Sequence, residues 1–210
     1  MRKKHVPQAT IGRLPIYYRT LLSLLEFAQD TDLPTISSTK LSEITGINSS
    51  QIRKDFSYFG AFGKRGVGYP LFGLTEQLKE VMRAGQKWDV ALVGVGNIGT
   101  ALLRYKGFSK RGFNIKLVFD NDVSKIGTKV DNIKIQDIQK MEKCLKDQKI
   151  NIGIITVPAE SAQEVAYKMI GGGVRSILNF APINIKHPPE VSIKHIDIAI
   201  ELEKLVYYLF

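Results

Sequence analysis

The stretch VALVGVGNIG, residues 90–99, decides how the second half of this chain folds. Its four leading apolar residues predict a buried strand, and the glycine pattern that follows is typical of a loop that opens a helix. In such a loop the first glycine permits a tight turn, the second lets the backbone approach a pyrophosphate, and the third allows helix and strand to pack closely. The free amides of the helix N-terminus also favour phosphate. The sequence therefore predicts a dinucleotide-binding loop formed by Gly94, Val95, Gly96, Asn97, Ile98 and Gly99.

An acidic residue stands where this kind of site requires one. The next predicted strand, residues 115–119, is followed by Asp120, which lies about twenty residues after Gly99. A carboxylate there accepts hydrogen bonds from the adenine-ribose hydroxyls and repels a 2′-phosphate, which favours NAD(H) over NADP(H). The alternative is that Asp120 is only a turn residue at a strand end.

Strand-like and helical segments alternate after residue 86, which predicts a parallel sheet with right-handed crossovers over residues 87–196. Further strands are expected at residues 150–157, 175–179 and 191–196, with helices at 98–105 and 159–170. Ligands of open parallel sheets bind at the carboxyl ends of the strands. We therefore add to the dinucleotide site Thr156, Val157, Pro158, Asn179 and Phe180.

Helical periodicity dominates residues 1–86. The pattern predicts a helix over residues 16–27 with Pro15 in its first turn, preceded by a turn at residues 10–14. A short helix at 39–45 is stopped by Gly46, and Asn48 then opens a helix that runs to Tyr58, with Gln51 as a capping-box partner. A glycine-rich ribbon with a turn at residues 64–66, and a helix at 74–83, complete a winged helix-turn-helix domain.

The second helix of such a pair enters the major groove of DNA. We expect the DNA-binding residues to be Ser49, Ser50, Gln51, Arg53, Lys54 and Tyr58 on that helix, and Lys64 and Arg65 at the tip of the ribbon. The alternative for the basic pair is a solvated helix face. Five apolar side chains are expected in the core instead: Ile44, Ile47, Ile52, Phe56 and Phe59.

Composition supports a partner with negative charge. The chain carries a formal net charge of +10, which attracts nucleic acid, an anionic membrane face or phosphorylated ligands. The single cysteine, Cys144, fits a reducing compartment. An unreactive, buried or partly exposed thiol is favoured over a reactive one whose pKa is lowered by nearby lysines. No leader and no apolar run of about 20 residues is present, so a cytoplasmic protein without membrane or metal partners is expected.

Catalysis is not expected. A dehydrogenase needs a proton-transfer group near its substrate carbon, but His5 lies in a basic arm, His187 lies beside two prolines, and His195 reads as a packed or surface residue. No nucleophile elbow, metal cluster or phosphate-binding Walker loop is visible.

Several segments together resemble the bacterial Rex family of redox-sensing transcriptional repressors. The resemblance rests on QIRKDFSYFG (51–60), RGVGY (65–69), the glycine loop and NFAP (179–182), and it covers nearly the whole chain. It implies a homodimer that binds palindromic operator DNA. NADH binding would release the DNA, whereas NAD+ would permit or favour DNA binding. It also implies that the terminal helix, residues 197–210, is swapped between subunits, although a helix buried in its own subunit is the alternative.

The resemblance further implies a switch between the domains. Arg19 would pair with Tyr105 in one state and with Asp197 of the other subunit in the other state. Some members carry Phe directly after that Asp, placed against the nicotinamide, whereas this chain has Ile198. The function expected is repression that responds to the NADH/NAD+ ratio. The alternatives are an NAD- or CoA-linked enzyme with an accessory basic domain, and a nucleotide-binding partner that never touches DNA.

Overall fold

The computed structural model describes residues 6–27, 35–60, 63 and 67–209. The chain divides into two units, Met1–Gln86 and Lys87–Phe210.

The first unit consists mainly of helices around one small core. Its elements are α1 (Gln8–Phe27), β1 (Thr35–Ile36), α2 (Ser38–Thr45), α3 (Ser49–Ser57), β2 (Tyr69–Pro70) and α4 (Leu71–Met82). The core is formed by Leu14, Tyr17, Leu21, Ile36, Leu41, Ile52, Phe56, Leu71, Leu74 and Leu78.

Helix α1 is continuous through Pro15, so the expected turn at residues 10–14 is wrong. Proline within a helix removes one backbone hydrogen bond and costs about 3 kcal/mol. The buried side chains Thr10, Leu14, Tyr17 and Leu21 nevertheless recur at helical spacing on both sides of it. Burial of this continuous stripe outweighs the cost, because tertiary packing stabilises protein helices more than local propensity does.

The turn between α2 and α3 is defined by its caps. Gly46 ends α2 with φ +71°, and Asn48 caps α3 by accepting a hydrogen bond from the Ser50 amide. The capping box expected at Gln51 is wrong, because the Gln51 amide donates to Asp55 instead. Ile44 is also not a core residue, since 46% of it is exposed, whereas Ile52 and Phe56 are buried. Ile47 and Phe59 are partly buried against the core.

Strand β2 pairs with β1 in antiparallel register, Thr35 opposite Pro70 and Ile36 opposite Tyr69. Tyr69 thus takes a partner from before α2, and the ribbon expected over residues 59–69 stays a prediction, because its turn lies outside the described residues. Lys64 and Arg65, the expected tip, lie outside the described residues.

The second unit is a seven-stranded sheet with helices. Its elements are β3 (Trp88–Val93), α5 (Asn97–Arg104), β4 (Phe113–Asp120), β5 (Lys129–Val130), β6 (Ile133–Asp137), α6 (Met141–Asp147), β7 (Ile152–Ile155), α7 (Ala159–Gly171), β8 (Ser176–Asn179), β9 (Ser192–His195) and α8 (Ile198–Val206). The strand order is β5-β6-β4-β3-β7-β8-β9, and all neighbours are parallel except β5 and β6.

Strand β3 lies in the middle of the sheet, with three strands on either side, and both of its faces are covered. Ala91 and Val93 belong to one buried cluster, and Val90 and Leu92 belong to another, as the alternation of side chains along a strand requires. The chain crosses from the β4 side of β3 to the β7 side, so the strand order reverses there. Crevices at such a reversal are the usual ligand sites of these sheets.

The hairpin of β5 and β6 was not expected from the sequence. Asp131 and Asn132 connect the two strands, and both have positive φ, +50° and +67°. Two such residues form the turn that matches the twist of a tight hairpin.

Helix α8 is not buried against the rest of its own chain, because every residue from Ile198 to Leu209 is exposed. The expectation of a helix buried in its own subunit is therefore wrong. Among the described residues, no helix is long and apolar enough to cross a membrane.

Candidate functional site

The loop between β3 and α5 contains three glycines, and the fold itself requires two of them. Gly94 has φ +95°, and a Cβ there would lie 2.7 Å from the Thr156 carbonyl oxygen. A Cβ on Gly99 would collide with the Gly94 carbonyl. Both positions therefore exclude side chains for reasons internal to the fold.

Gly96 differs from the other two. It is exposed, its φ is −83°, and a Cβ there would meet nothing within 4 Å. Neither strain nor crowding in the protein calls for glycine, so this residue leaves open space beside the backbone. Such space is what the approach of a pyrophosphate needs.

The N-terminus of α5 lies directly beside this open position. The first hydrogen bond of the helix runs from the Thr100 amide to the Gly96 carbonyl. The amides of residues 97–99 lie before it in the first turn. Amides in the first turn of a helix have no partner within it, and the helix dipole adds partial positive charge. Asn97 and Ile98 are exposed here, whereas Gly99 is buried. The residues present thus fit a dinucleotide phosphate.

Asp120 is nearly buried at the end of β4 and both of its oxygens are used. One accepts the Val95 amide at 2.7 Å, and the other accepts the Asp122 amide at 2.9 Å. The carboxylate therefore holds the glycine loop in place. Each oxygen keeps a further acceptor position for a ligand hydroxyl. Lys125 lies 3.7 Å from Asp120 and 3.4 Å from Asp122.

A pocket of about 450 Å³ joins these features. Seven of the sequence-predicted residues line it: Gly94, Val95, Gly96, Asp120, Thr156, Val157 and Pro158. Other lining residues had not been expected, among them Asn121, Asp122, Lys125, Ile138, Glu160 and Ser161. Thr156 also closes the pocket wall, because its hydroxyl donates to the Gly94 carbonyl at 2.7 Å.

Asn179 and Phe180 do not line this pocket. Asn179 is fully buried, and its amide nitrogen lies 2.9 Å from the Ala181 carbonyl and 3.0 Å from His195 Nδ1, while its oxygen accepts the Ala181 amide. It therefore shapes the loop after β8. Phe180 packs against the cluster of Val90 and Leu92. His195 is thereby placed as a packed residue.

Most predicted DNA contacts on α3 are accessible. Ser50, Arg53 and Lys54 are exposed, and Ser49, Gln51 and Tyr58 are half-buried. Arg53 donates to the Ser38 hydroxyl at 2.8 Å, and Ser50 donates to Asn48 at 2.7 Å. These groups form a polar and basic surface at the start of α3.

A buried carboxylate on the same helix was missed by the sequence analysis. Asp55 has no exposed surface, and its two oxygens accept hydrogen bonds from four side chains. Arg13 donates twice, at 2.6 and 2.8 Å, Tyr17 donates at 2.7 Å, Gln51 at 2.8 Å and Thr10 at 2.9 Å. The only signal in the sequence is position, because Asp55 lies three residues after Ile52 and beside Phe56, on the apolar side of α3.

The protonation of this cluster follows from its contacts. Burial raises the pKa of Asp55, but the hydrogen bonds from Arg13, Tyr17, Gln51 and Thr10 outweigh it and lower the pKa to about 2. The pKa of Tyr17 is raised by burial and by its bond to the carboxylate. Asp55 is thus ionised and Tyr17 is neutral at physiological pH.

The three residues of the expected switch are placed as follows. Arg19 is exposed on α1. Tyr105 follows α5, is 53% exposed, and packs edge-on against Phe108 at 5.2 Å. Asp197 caps α8 by accepting the Ala199 amide at 2.9 Å. Within the described residues, no group of acidic, histidine or cysteine side chains could hold a metal ion. Cys144 is half-buried and its sulfur lies 3.5 Å from Gln136.

Two known protein families match the chain, one in each of its two units. Residues 5–57 match the family described as "Putative DNA-binding protein N-terminus", and residues 85–183 match "CoA binding domain". The chain is 44% identical to the redox-sensing transcriptional repressor Rex of Desulfitobacterium hafniense, covering 99% of this chain and 97% of that protein. It is 41% identical to Rex of Streptomyces coelicolor, with 99% and 79% covered.

Solved structures agree with these relatives. The crystal structure of RSP in complex with NAD+ and operator DNA matches with a TM-score of 0.88 and 35% identity, covering 99% of this chain and 94% of that one. The complex of RSP with NADH matches with a TM-score of 0.86 and 34% identity, covering 99% and 95%. These proteins are named as regulators rather than enzymes, and a winged helix-turn-helix joined to a Rossmann-like sheet is confirmed as the fold. This chain therefore belongs to the Rex family of redox-sensing transcriptional repressors.

Proposed function

We propose that this protein represses transcription by binding operator DNA when NADH is low and leaves the DNA when NADH binds. The observation that carries the proposal is the pairing, in one chain, of an accessible basic α3 with a glycine loop whose Gly96 faces open space. RSP, which matches this chain over nearly its full length, has been crystallised with operator DNA and with NADH.

The dinucleotide binds across the end of β3. The pyrophosphate lies against Gly96 and the first turn of α5, where the amides of residues 97–99 receive it. The adenine ribose lies toward Asp120, whose free acceptor positions bind hydroxyls, so NAD(H) is favoured over NADP(H). Thr156, Val157 and Pro158 also line the pocket. Asn179 and Phe180 support the neighbouring loop without lining the pocket.

The protein senses the dinucleotide without turning it over. His195, a candidate for proton transfer, is held against the amide nitrogen of buried Asn179 at 3.0 Å. Since that nitrogen is a donor, Nδ1 of His195 acts as an acceptor and serves the loop. His195 does not line the dinucleotide pocket, so it supports the fold rather than proton transfer. The names of the relatives also describe regulation.

DNA is read by α3 and contacted beside it. Arg53 and Gln51 face base edges, and Ser49, Ser50, Lys54 and Tyr58 bind phosphates or bases nearby. Lys64 and Arg65 belong to the same proposal, although they lie outside the described residues.

The protein acts as a homodimer through α8. This helix exposes Ile198, Leu202, Leu205 and Val206, with more than half of each accessible, and burying such a surface against a second copy stabilises a dimer. As in the family resemblance, Arg19, Tyr105 and Asp197 of the other subunit form the switch that links NADH binding to α3.

The direct test is a titration of NADH and NAD+ into the full-length protein bound to fluorescent DNA from upstream of its own gene. We expect NADH to lower the anisotropy to that of free DNA, and NAD+ to leave the complex intact. Release by NAD+ with retention in NADH would reverse the proposed direction, and steady NADH oxidation with simple carbonyl compounds would favour an enzyme.

A further inference from the structure

Gln51 differs from the other predicted DNA contacts on α3 in that its side chain is hydrogen-bonded to a fully buried carboxylate. Its amide nitrogen donates to Asp55 Oδ1 at 2.8 Å, one turn further along α3. Asp55 itself is fixed by α1, through Thr10, Arg13 and Tyr17. The orientation of the Gln51 amide is therefore set by a carboxylate that four other hydrogen bonds hold in place.

The other end of the Gln51 amide is open. Within the described part of the chain, no buried side-chain nitrogen or oxygen lacks a hydrogen-bond partner. The Gln51 carbonyl oxygen makes no hydrogen bond there, so it is accessible to solvent. An ionised Asp55 accepts hydrogen bonds only, so the amide cannot turn around to offer its oxygen to Asp55 and its nitrogen to solvent.

We propose that Asp55 is a positioning residue for sequence recognition, which fixes Gln51 with its carbonyl oxygen toward the DNA. A carbonyl oxygen accepts a hydrogen bond from an exocyclic amino group, which adenine and cytosine carry in the major groove and thymine does not. Gln51 therefore selects a base with an amino group at one position of each half-site. This inference rests on the proposed DNA binding and makes it specific.

The selection can be measured with full-length protein and a library of duplexes randomised in sequence. We expect wild-type protein to prefer adenine or cytosine at one position by about tenfold, which lies within the range that one mismatched base pair usually costs. Gln51→Leu and Asp55→Asn should both remove that preference at the same position, and the double variant should remove no more than either alone.

Two further variants separate positioning from a structural role. Thr10→Val deletes another hydrogen bond to the same Asp55 oxygen without touching Gln51, so it should lower the melting temperature and leave base preference unchanged. Gln51→Glu keeps outward oxygens but cannot donate to Asp55, and repulsion between the two carboxylates should displace it. We expect Gln51→Glu to lose the preference, and because residue 51 is only half-buried this variant tests the idea even if Asp55→Asn does not fold.

Several results would overturn the inference while leaving the proposed function intact. These are wild-type binding with no preference for an amino-bearing base, an unchanged preference in Gln51→Leu or Gln51→Glu, or an equal loss of affinity for all sequences in folded Asp55→Asn. A wild-type protein that binds none of the duplexes would instead refute the proposed DNA binding itself.

Discussion

Gly94 and Gly96 allow the dinucleotide proposal to be tested with two matched substitutions. Gly96→Ala adds a methyl group that meets nothing within 4 Å, at a φ of −83° that alanine adopts freely. Alanine is a poorer helix cap than glycine, but it also lowers the entropy of the unfolded chain. These effects offset each other, so the free energy of unfolding should change by less than about 1 kcal/mol.

Gly94→Ala should behave in the opposite way. Its methyl group would lie 2.7 Å from the Thr156 carbonyl oxygen and 2.8 Å from a Val157 methyl, at a φ of +95°. Backbone strain of about 1–2 kcal/mol and overpacking of about 1–3 kcal/mol should together cost about 3 kcal/mol. At about 3 °C for each kcal/mol, the melting temperature should fall by about 10 °C.

NADH affinity distinguishes a ligand site from a structural loop. The methyl group of Gly96→Ala would occupy the approach of the pyrophosphate, and losing one charge-assisted hydrogen bond to a backbone amide costs about 2 kcal/mol. The dissociation constant should then rise about thirtyfold, as measured by NADH fluorescence at a temperature where both proteins are folded. If Gly96→Ala melts like wild type and binds NADH equally well, the pyrophosphate does not lie at Gly96.

Three shorter predictions concern the other parts of the molecule. Arg53→Ala removes an exposed side chain whose described partner is the Ser38 hydroxyl; operator affinity should fall by about 1–3 kcal/mol in an anisotropy titration with an unchanged melting temperature, and an unchanged affinity would remove Arg53 from the reading set. The pKa of Asp55 is lowered from 3.8 to about 2, so its contribution to the stability is complete above about pH 5 and is lost as the pH falls through 3.8 to 2. Urea unfolding should show that this group alone accounts for about 2 kcal/mol of the stability lost between about pH 5 and pH 2, a loss that Asp55→Asn should not show. Leu205→Glu places a charge on the exposed apolar face of α8, so sedimentation should show monomers where the wild type forms dimers, and an unaltered dimer would exclude this face from the interface.

The dinucleotide loop was predictable because its information is local. The strand, the glycine spacing and the start of the helix all lie within residues 88–104, although part of the crowding that excludes a side chain at Gly94 comes from Thr156 and Val157. Asp122 and Lys125 were missed because they reach the pocket only after the chain turns back beyond β4. Asn179 was placed at the correct strand end, but its burial beneath the following loop depends on β9, which contributes His195 from sixteen residues away.

The hairpin of β5 and β6 shows a signal that was present but unused. Its turn residues, Asp131 and Asn132, are among the few types that tolerate positive φ, and apolar or β-branched residues flank them. By contrast, nothing local predicted that β2 would pair with β1, because the two strands lie more than thirty residues apart. Pairing at that distance depends on packing of the helices between them.

The two larger errors in the first unit, the broken α1 and the overlooked Asp55, have one physical cause. A charged run such as Arg53-Lys54-Asp55 reads as solvated, and Pro15 reads as a helix start, when each is considered with its neighbours alone. In the folded unit, the unbroken helix places Thr10 two turns and Arg13 one turn before Tyr17, so that all three reach the same carboxylate. A bend at Pro15 would remove Thr10 and Arg13 and leave Asp55 buried with too few donors, at a cost of several kcal/mol. The buried carboxylate therefore favours a continuous α1, and the continuous α1 makes the buried carboxylate stable, which is why neither feature was predictable without the other.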